Sequence, residues 1–155
     1  MKVSQVEMVE LVLPNDTNIL NNLLGGRLMH WMDIAAAMAA SRHCNNIAVT
    51  AAVDDMSFHK PIKLGNIVKL KASVNRAFNT SMEVGVRAEM EDFETGEIFH
   101  SNSAYFTFVS VDKNSGQKMP VPPIIPETEV EKKWHSDALI RRNQRLQRKS
   151  GIVHH

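Results

Sequence analysis

Two segments of the chain alternate apolar and polar residues with the period of a pleated strand. Val68, Leu70, Ala72 and Val74 are interleaved with Lys69, Lys71, Ser73 and Asn75, and Met82, Val84, Val86, Ala88 and Met90 with Glu83, Arg87, Glu89 and Glu91. That period predicts one buried and one wet face on each, as an antiparallel sheet covered on one side requires. Asn79-Thr80-Ser81 connects the two, and a turn at Glu94-Thr95-Gly96 opens a longer strand through Ala104, Phe106 and Phe108 that ends near Asp112. Upstream, residues 3–13 read as a strand halted by the turn-rich Pro14-Asn15-Asp16-Thr17-Asn18. After Asn45-Asn46, the run IAVTAAV reads as a short apolar strand leading through Asp54-Asp55 and Met56-Ser57-Phe58 to a break at Lys60-Pro61.

Between those strands the period changes. Behind Gly25-Gly26, the residues Leu28, Met32, Ala35, Ala36 and Ala39 recur at helical spacing, while Arg27, His30 and Ser41 occupy the far side. The many alanines lack bulky side chains, so a curved sheet can approach this helix closely around most of its circumference. Residues 113–126, with Pro120, Pro122, Pro123 and Pro126, read as an extended linker to a tail helix at 127–149, whose acidic residues come first and arginines last, in accord with its dipole. The fold expected is α+β: a curved antiparallel sheet wrapped around one helix. Such a sheet has an exposed edge strand, and pairing of two copies along that edge is the natural way to cover it.

Composition narrows the class without choosing a function. A chain of 155 residues, 43% hydrophobic and 23% charged, suits one domain spanning 1–155. Its net charge of +1 argues against a surface given over to nucleic acid or an anionic membrane. A single cysteine, Cys44, excludes an internal disulfide and any site built on cysteine pairs, which suits a reducing compartment. The opening MKVSQVEMVELVL mixes charge with apolarity where a signal peptide needs an unbroken apolar run, so a cytoplasmic location is expected. The histidines lack metal-site spacing, and the terminal His154 and His155 are left out of any metal argument.

Asp33 is the one carboxylate in the middle of an apolar helical run, where a charge needs a partner or a task. A position on the solvent side near His30 would also explain it. Gly25-Gly26 serves equally as a plain helix entry or as a place where a carbonyl reaches the first free backbone N–H groups. Asn22 suits a capping or turn role. The tail arginines Arg141, Arg142, Arg145 and Arg148 form either a solvated face or a grip for phosphate.

The strings GGRLMHWMDIAAAMAASRHC, VTAAVDDMSFHKPIKLGNIV and AFNTSMEVGVRAEMEDFETGE, in this order, resemble the hotdog-fold acyl-CoA thioesterases, and most of all their cytosolic and brown-fat-type branch. The resemblance implies hydrolysis of acyl-CoA to a fatty acid and coenzyme A, with Asp33 as general base or nucleophile and the N–H groups at Gly25 and Gly26 as oxyanion donors. It implies that Asn22, with its neighbour Asn21 as the alternative, acts across a subunit interface from the aspartate. Thr80, Ser81 and Met82 then become coenzyme A contacts, Thr50, Ala51, Ala52 and Val53 line the pantetheine tunnel, and Arg142 holds the nucleotide phosphates. It implies no metal or redox cofactor, coenzyme A being part of substrate and product, and a trimer of dimers. A non-catalytic acyl-CoA sensor is the rival reading, since a fold alone does not prove chemistry. A thioester dehydratase using His30 is a third.

Overall fold

Asparagine at 45 ends the central helix in the manner its side chain favours. Its backbone is left-handed (φ 57°) and its N–H returns to the Ser41 carbonyl, closing α1 (Gly25–Cys44). The computed structural model describes residues 4–58 and 60–153 and, within them, every side chain except those at 55–58, 101 and 150–153. Five strands surround the helix: β1 (Val6–Leu11), β2 (Ile47–Phe58), β3 (Ile67–Ala77), β4 (Ser81–Glu91) and β5 (Ile98–Val111). They form one antiparallel sheet in the order β1-β3-β4-β5-β2. The first strand, expected over 3–13, is shorter at both ends, and Val3 lies outside the described residues. Pro14–Asp16 forms one turn of 3-10 helix, as the turn-rich cluster predicts.

The alternation fixes the inner face. Val68, Leu70 and Val74 of β3, Met82, Val84 and Ala88 of β4, and Ala104, Phe106 and Phe108 of β5 are all fully buried against the helix. Opposite them lie Leu28, Met32, Ala35, Ala36 and Ala39, joined by Trp31 and Ala40. Small side chains on the helix let the sheet come close, and large ones on the strands fill the space, so volume is shared between the layers.

The outer face is not wet throughout, which corrects the expectation drawn from the alternation. The tail helix α2 (Glu129–Val153) crosses it, and Glu83 and Asn75 are only 3% and 2% exposed. Arg141 of α2 reaches Glu83 with two hydrogen bonds, of 2.6 and 3.0 Å, and Asn75 donates to the same carboxylate at 3.0 Å. Burial opposes the Arg141 charge, but the hydrogen bonds and charge of Glu83 prevail and hold its pKa above the usual value. Arg145 and Arg148 pair with Asp54 at 2.7 and 3.6 Å, tying the far end of α2 to β2. Thr128 and Glu131 form a reciprocal cap at the start of α2, each side chain accepting the other's backbone N–H.

Replacing Arg141 with Met leaves a charged carboxylate buried without its ion-pair partner. Loss of about 3–5 kcal/mol is expected, visible in a thermal melt as a midpoint lower by on the order of 10 °C. An unchanged midpoint would mean that α2 contributes nothing to stability through this pair.

Candidate active site

The start of α1 is left electrostatically open. Leu24 holds the cap position and offers no side-chain acceptor; its own N–H goes to the Asp16 carbonyl, and the N–H groups of Arg27 and Leu28 go to the Leu24 carbonyl. Among the described residues the N–H groups of Gly25 and Gly26 have no acceptor, both glycines are exposed, and the first turn holds no acidic residue. A Cβ at Gly26 would meet nothing within 4 Å, so packing inside this chain does not demand a glycine there. Unpaired donors at the positive end of a helix dipole favour an anion or a carbonyl oxygen gaining charge. Nearby, Asp16 is occupied with the Leu13 N–H at 2.9 Å and the Arg27 guanidinium at 3.3 Å.

The loop before the helix is folded by its asparagines. The carboxamide oxygen of Asn18 accepts the N–H groups of Leu20 (2.9 Å) and Asn22 (3.1 Å), and Asn21 takes a left-handed backbone (φ 60°), which asparagine tolerates well. The turn therefore accounts for Asn21. Asn22 is half-buried, bridges to Lys63 through its backbone, and its side chain makes no hydrogen bond among the described residues.

Asp33 lies two helical turns further on, half-buried, between the two alternatives the sequence left open. The Thr50 hydroxyl donates to its carboxylate at 2.7 Å. Register explains the contact: Thr50 is paired with Phe108, which faces the helix, so Thr50 faces it too. Thr50 thus has a side-chain contact with the carboxylate beyond the tunnel lining expected of it. The ladder then slips between Thr50 and Ala52, leaving Ala51 outside the pairing, while Ala52 and Val53 continue along a strand that has no neighbour on its far side among the described residues. Exposed apolar side chains occur on both β2 and α1. Met29, Ile34 and Met38 on α1 and Val49 and Val53 on β2 are all exposed, with Ile19 and Leu20 nearly or largely uncovered in the preceding loop.

A second cluster forms at the connection between β3 and β4. The Arg142 guanidinium stacks over the Phe78 ring at 4.2 Å, and the Phe78 N–H bonds the Ser81 carbonyl, which brings Arg142 to the same corner as Thr80 and Ser81. Arg76 comes within 6.0 Å of the same ring and donates to the His135 carbonyl. Burial, and then the charge of Arg76, push the His135 pKa below its usual value. Among the described residues neither Arg76 nor Arg142 has a carboxylate partner, in contrast to Arg141, Arg145 and Arg148. Met82 differs from the expectation: its side chain is wholly in the core and is closed to a ligand. Sequence reasoning passed over Asn18, Arg76 and Phe78, and the only local signal was the placing of Phe78 directly before a turn. The described residues contain no cluster suited to a metal ion.

The thioesterase superfamily profile matches residues 20–96. An uncharacterized acyl-CoA thioester hydrolase of Bacillus subtilis is 41% identical over 148 residues, covering 96% of this chain and 86% of that protein. A hexameric acyl-CoA thioesterase solved without ligand superposes with a TM-score of 0.92 at 36% identity, covering 96% of this chain and 94% of the other. An acyl-CoA hydrolase of Staphylococcus aureus, solved with butyryl coenzyme A and coenzyme A, gives 0.88 at 34% identity, covering 99% and 96%. That hydrolase has also been solved with an aspartate, an asparagine or a threonine changed to alanine.

Gly26→Ala is expected to raise stability by about 0.5–1 kcal/mol, since alanine is the better helix former and meets no obstacle in the chain. A thermal melt checks this, and a fall in midpoint would mean that atoms from another molecule pack against Gly26.

Proposed function

Since this chain belongs to the hotdog-fold acyl-CoA thioester hydrolases of the thioesterase superfamily and is itself an acyl-CoA thioesterase, we propose that Asp33, Thr50 and the Gly25–Gly26 helix start carry out its chemistry. The observation behind this assignment is a carboxylate held by one hydroxyl, at 2.7 Å, within an exposed apolar surface. Thr50 orients Asp33 and occupies one lone pair, leaving the other oxygen to take a proton from water or to attack the thioester carbonyl directly. As the carbonyl carbon becomes tetrahedral, its oxygen gains negative charge, which the N–H groups of Gly25 and Gly26 stabilise along the helix axis. On the base route, collapse of the intermediate breaks the C–S bond, the acyl group leaves as a carboxylic acid and the proton taken up by Asp33 passes to the departing coenzyme A thiolate. On the nucleophile route, collapse leaves the acyl group on Asp33 as an anhydride, which water then hydrolyses to the acid, restoring the carboxylate. No metal or redox step enters this sequence.

Helix geometry makes the site composite. Gly26 and Asp33 of one helix are about 10 Å apart along its axis at the usual rise, too far for both to contact one thioester carbon. Two antiparallel copies of α1, brought together by pairing of the exposed β2 edges, place Gly25–Gly26 of one subunit near Asp33 of the other. The apolar side chains around β2 and α1 support such a homodimer, and the hexameric relative supports a trimer of these dimers. Asn22 then acts across the interface from Asp33. In the Staphylococcus aureus hydrolase the altered asparagine stands fifteen residues before the altered aspartate and the altered threonine seventeen after it. Asn18 and Thr50 stand at those spacings from Asp33. Asn18 therefore joins Asn22 as a candidate, its carboxamide both shaping the loop and retaining an NH2 to offer the substrate.

Arg142, Thr80 and Ser81 suit the phosphate end of coenzyme A, a guanidinium with no carboxylate partner among the described residues beside two hydroxyls. Ala51, Ala52 and Val53 suit the pantetheine arm along the strand edge. A reducing cytoplasm fits the free, buried Cys44, and no described helix is long and apolar enough to cross a membrane.

Asp33→Asn is expected to lower thiol release from acyl-CoA at least 1000-fold while the oligomer, checked by size-exclusion chromatography, stays intact; full turnover in this variant would remove Asp33 from the mechanism. A second experiment tests the composite site. Co-expressed Asp33→Asn and Gly26→Leu subunits, each inactive alone, should recover about a quarter of wild-type turnover, because half the dimers formed at random are hybrids with one of two sites intact. No recovery would place the whole site within one chain.

A further inference from the structure

A cavity of about 220 Å³ opens beside the start of α1, lined by Leu23, Gly25, Leu28, Pro61 and Ile62, with Lys60 and Asn102 completing its walls. Resting on the thioesterase reading above, we propose that this cavity is the acyl subsite and that its size selects short and medium acyl groups, of about four to eight carbons.

Three observations bear on this. Gly25 lines the cavity and also carries one of the two unpaired N–H groups, so a thioester whose carbonyl oxygen sits on those donors has its first acyl carbons at the cavity mouth. The side chains that follow are apolar: Leu28 and Ile62 are 2% and 4% exposed, and Leu23 and Pro61 complete that lining, a surface that rewards methylene groups and gives nothing to a charged one. The far wall is polar or shared with another surface. Asn102 is completely buried there, and Lys60 and Pro61 wall the cavity off from a second hollow, lined by Lys63, Asn66, Met90, Asp92 and Phe99, so an alkyl chain could reach that side only by displacing them.

Volume sets the limit. A methylene group takes about the 30 Å³ of a water molecule, so the cavity holds roughly seven such groups, and a sixteen-carbon chain would need about twice the space. The wall is braced against expansion by the backbone, since the Leu23 N–H bonds the Ile62 carbonyl at 2.6 Å and joins the helix entry to the segment after β2. Leu23 is the wall residue most open to change, being half-buried where Leu28 and Ile62 are in the core.

The test is kcat/KM for straight-chain acyl-CoA substrates of two to sixteen carbons, followed by thiol release, with the wild type, Leu23→Ala and Leu23→Trp, each checked for assembly. In the wild type, kcat/KM should rise about fourfold per methylene to a maximum near six to eight carbons and fall at least tenfold by sixteen. Leu23→Ala should move the maximum to longer chains by about two carbons and Leu23→Trp to shorter ones. A maximum at sixteen carbons, or one profile common to all three proteins, would overturn the subsite while leaving the thioesterase intact. No thiol release at any length would instead bring down the thioesterase reading, and the subsite with it.

Discussion

A helix enclosed by a single curved sheet needs narrow side chains where the two layers come closest, and the rest of this molecule follows from that restriction. Ala35, Ala36, Ala39 and Ala40 are completely buried, and the strands supply the bulk through Phe106, Phe108, Leu70 and Met82. The sheet covers only part of the helix circumference: Met29, Ile34 and Met38 remain exposed on α1 within a few residues of Asp33, whose carboxylate meets Thr50 of β2, the last strand in the order. The same packing that stabilises the core thus delivers one carboxylate to a partly open, apolar border next to an unpaired strand edge. A chemical group and an assembly surface come from one geometric cause.

The tail helix adds a second layer by a different kind of force. Its contact with the sheet relies on ionic and cation–π interactions: Arg141 with Glu83 and over Tyr105, Arg145 with Asp54, and Arg87 over Trp134. Each fixes the rotation of α2 about its axis more narrowly than apolar contact would, since a guanidinium must meet its carboxylate in a defined orientation. With Arg141, Arg145 and Arg148 committed to carboxylates, Arg142 is turned to Phe78 and the β3–β4 connection. What distinguishes Arg142 from these neighbours is therefore the absence of a carboxylate partner among the described residues, a property of the fold and not of the residue type.

In the proposed reaction each subunit contributes half of what a thioester needs. Donors at a helix start and a carboxylate about 10 Å along the same helix cannot serve one carbon, yet two such helices in opposite directions satisfy both ends of the problem twice. Activity then depends on assembly, and the apolar border that would be a liability on an isolated chain becomes the floor of two active sites. The cavity beside Gly25 lies at the junction of the helix entry and the Pro61–Ile62 segment, so in the proposed reaction one element both presents the oxyanion donors and bounds the acyl group.

Much of the fold was legible in the chain because burial is a local property of a periodic element. Alternation placed the inner faces of β3 and β4 residue by residue, and the alanine-rich run placed the buried stripe of α1, since the side-chain directions of strands and helices repeat on short, fixed periods. The family resemblance, carried by motifs around Gly25, Asp33 and Thr80, was legible for the same reason: those motifs are contiguous. Pairings across long stretches of sequence were not. Glu83 looked like one more solvated residue because its partner Arg141 lies 58 residues away, and the Thr50 hydroxyl could be assigned to Asp33 only once β2 had a register against β5. The sequence by itself determined the inner-face stripes of the periodic elements and which motifs are present; the tertiary structure alone decided which outer-face residues are covered, which charges are paired, which donors are left open and where the cavity lies, because electrostatic partnership and empty volume depend on distances that no local pattern encodes.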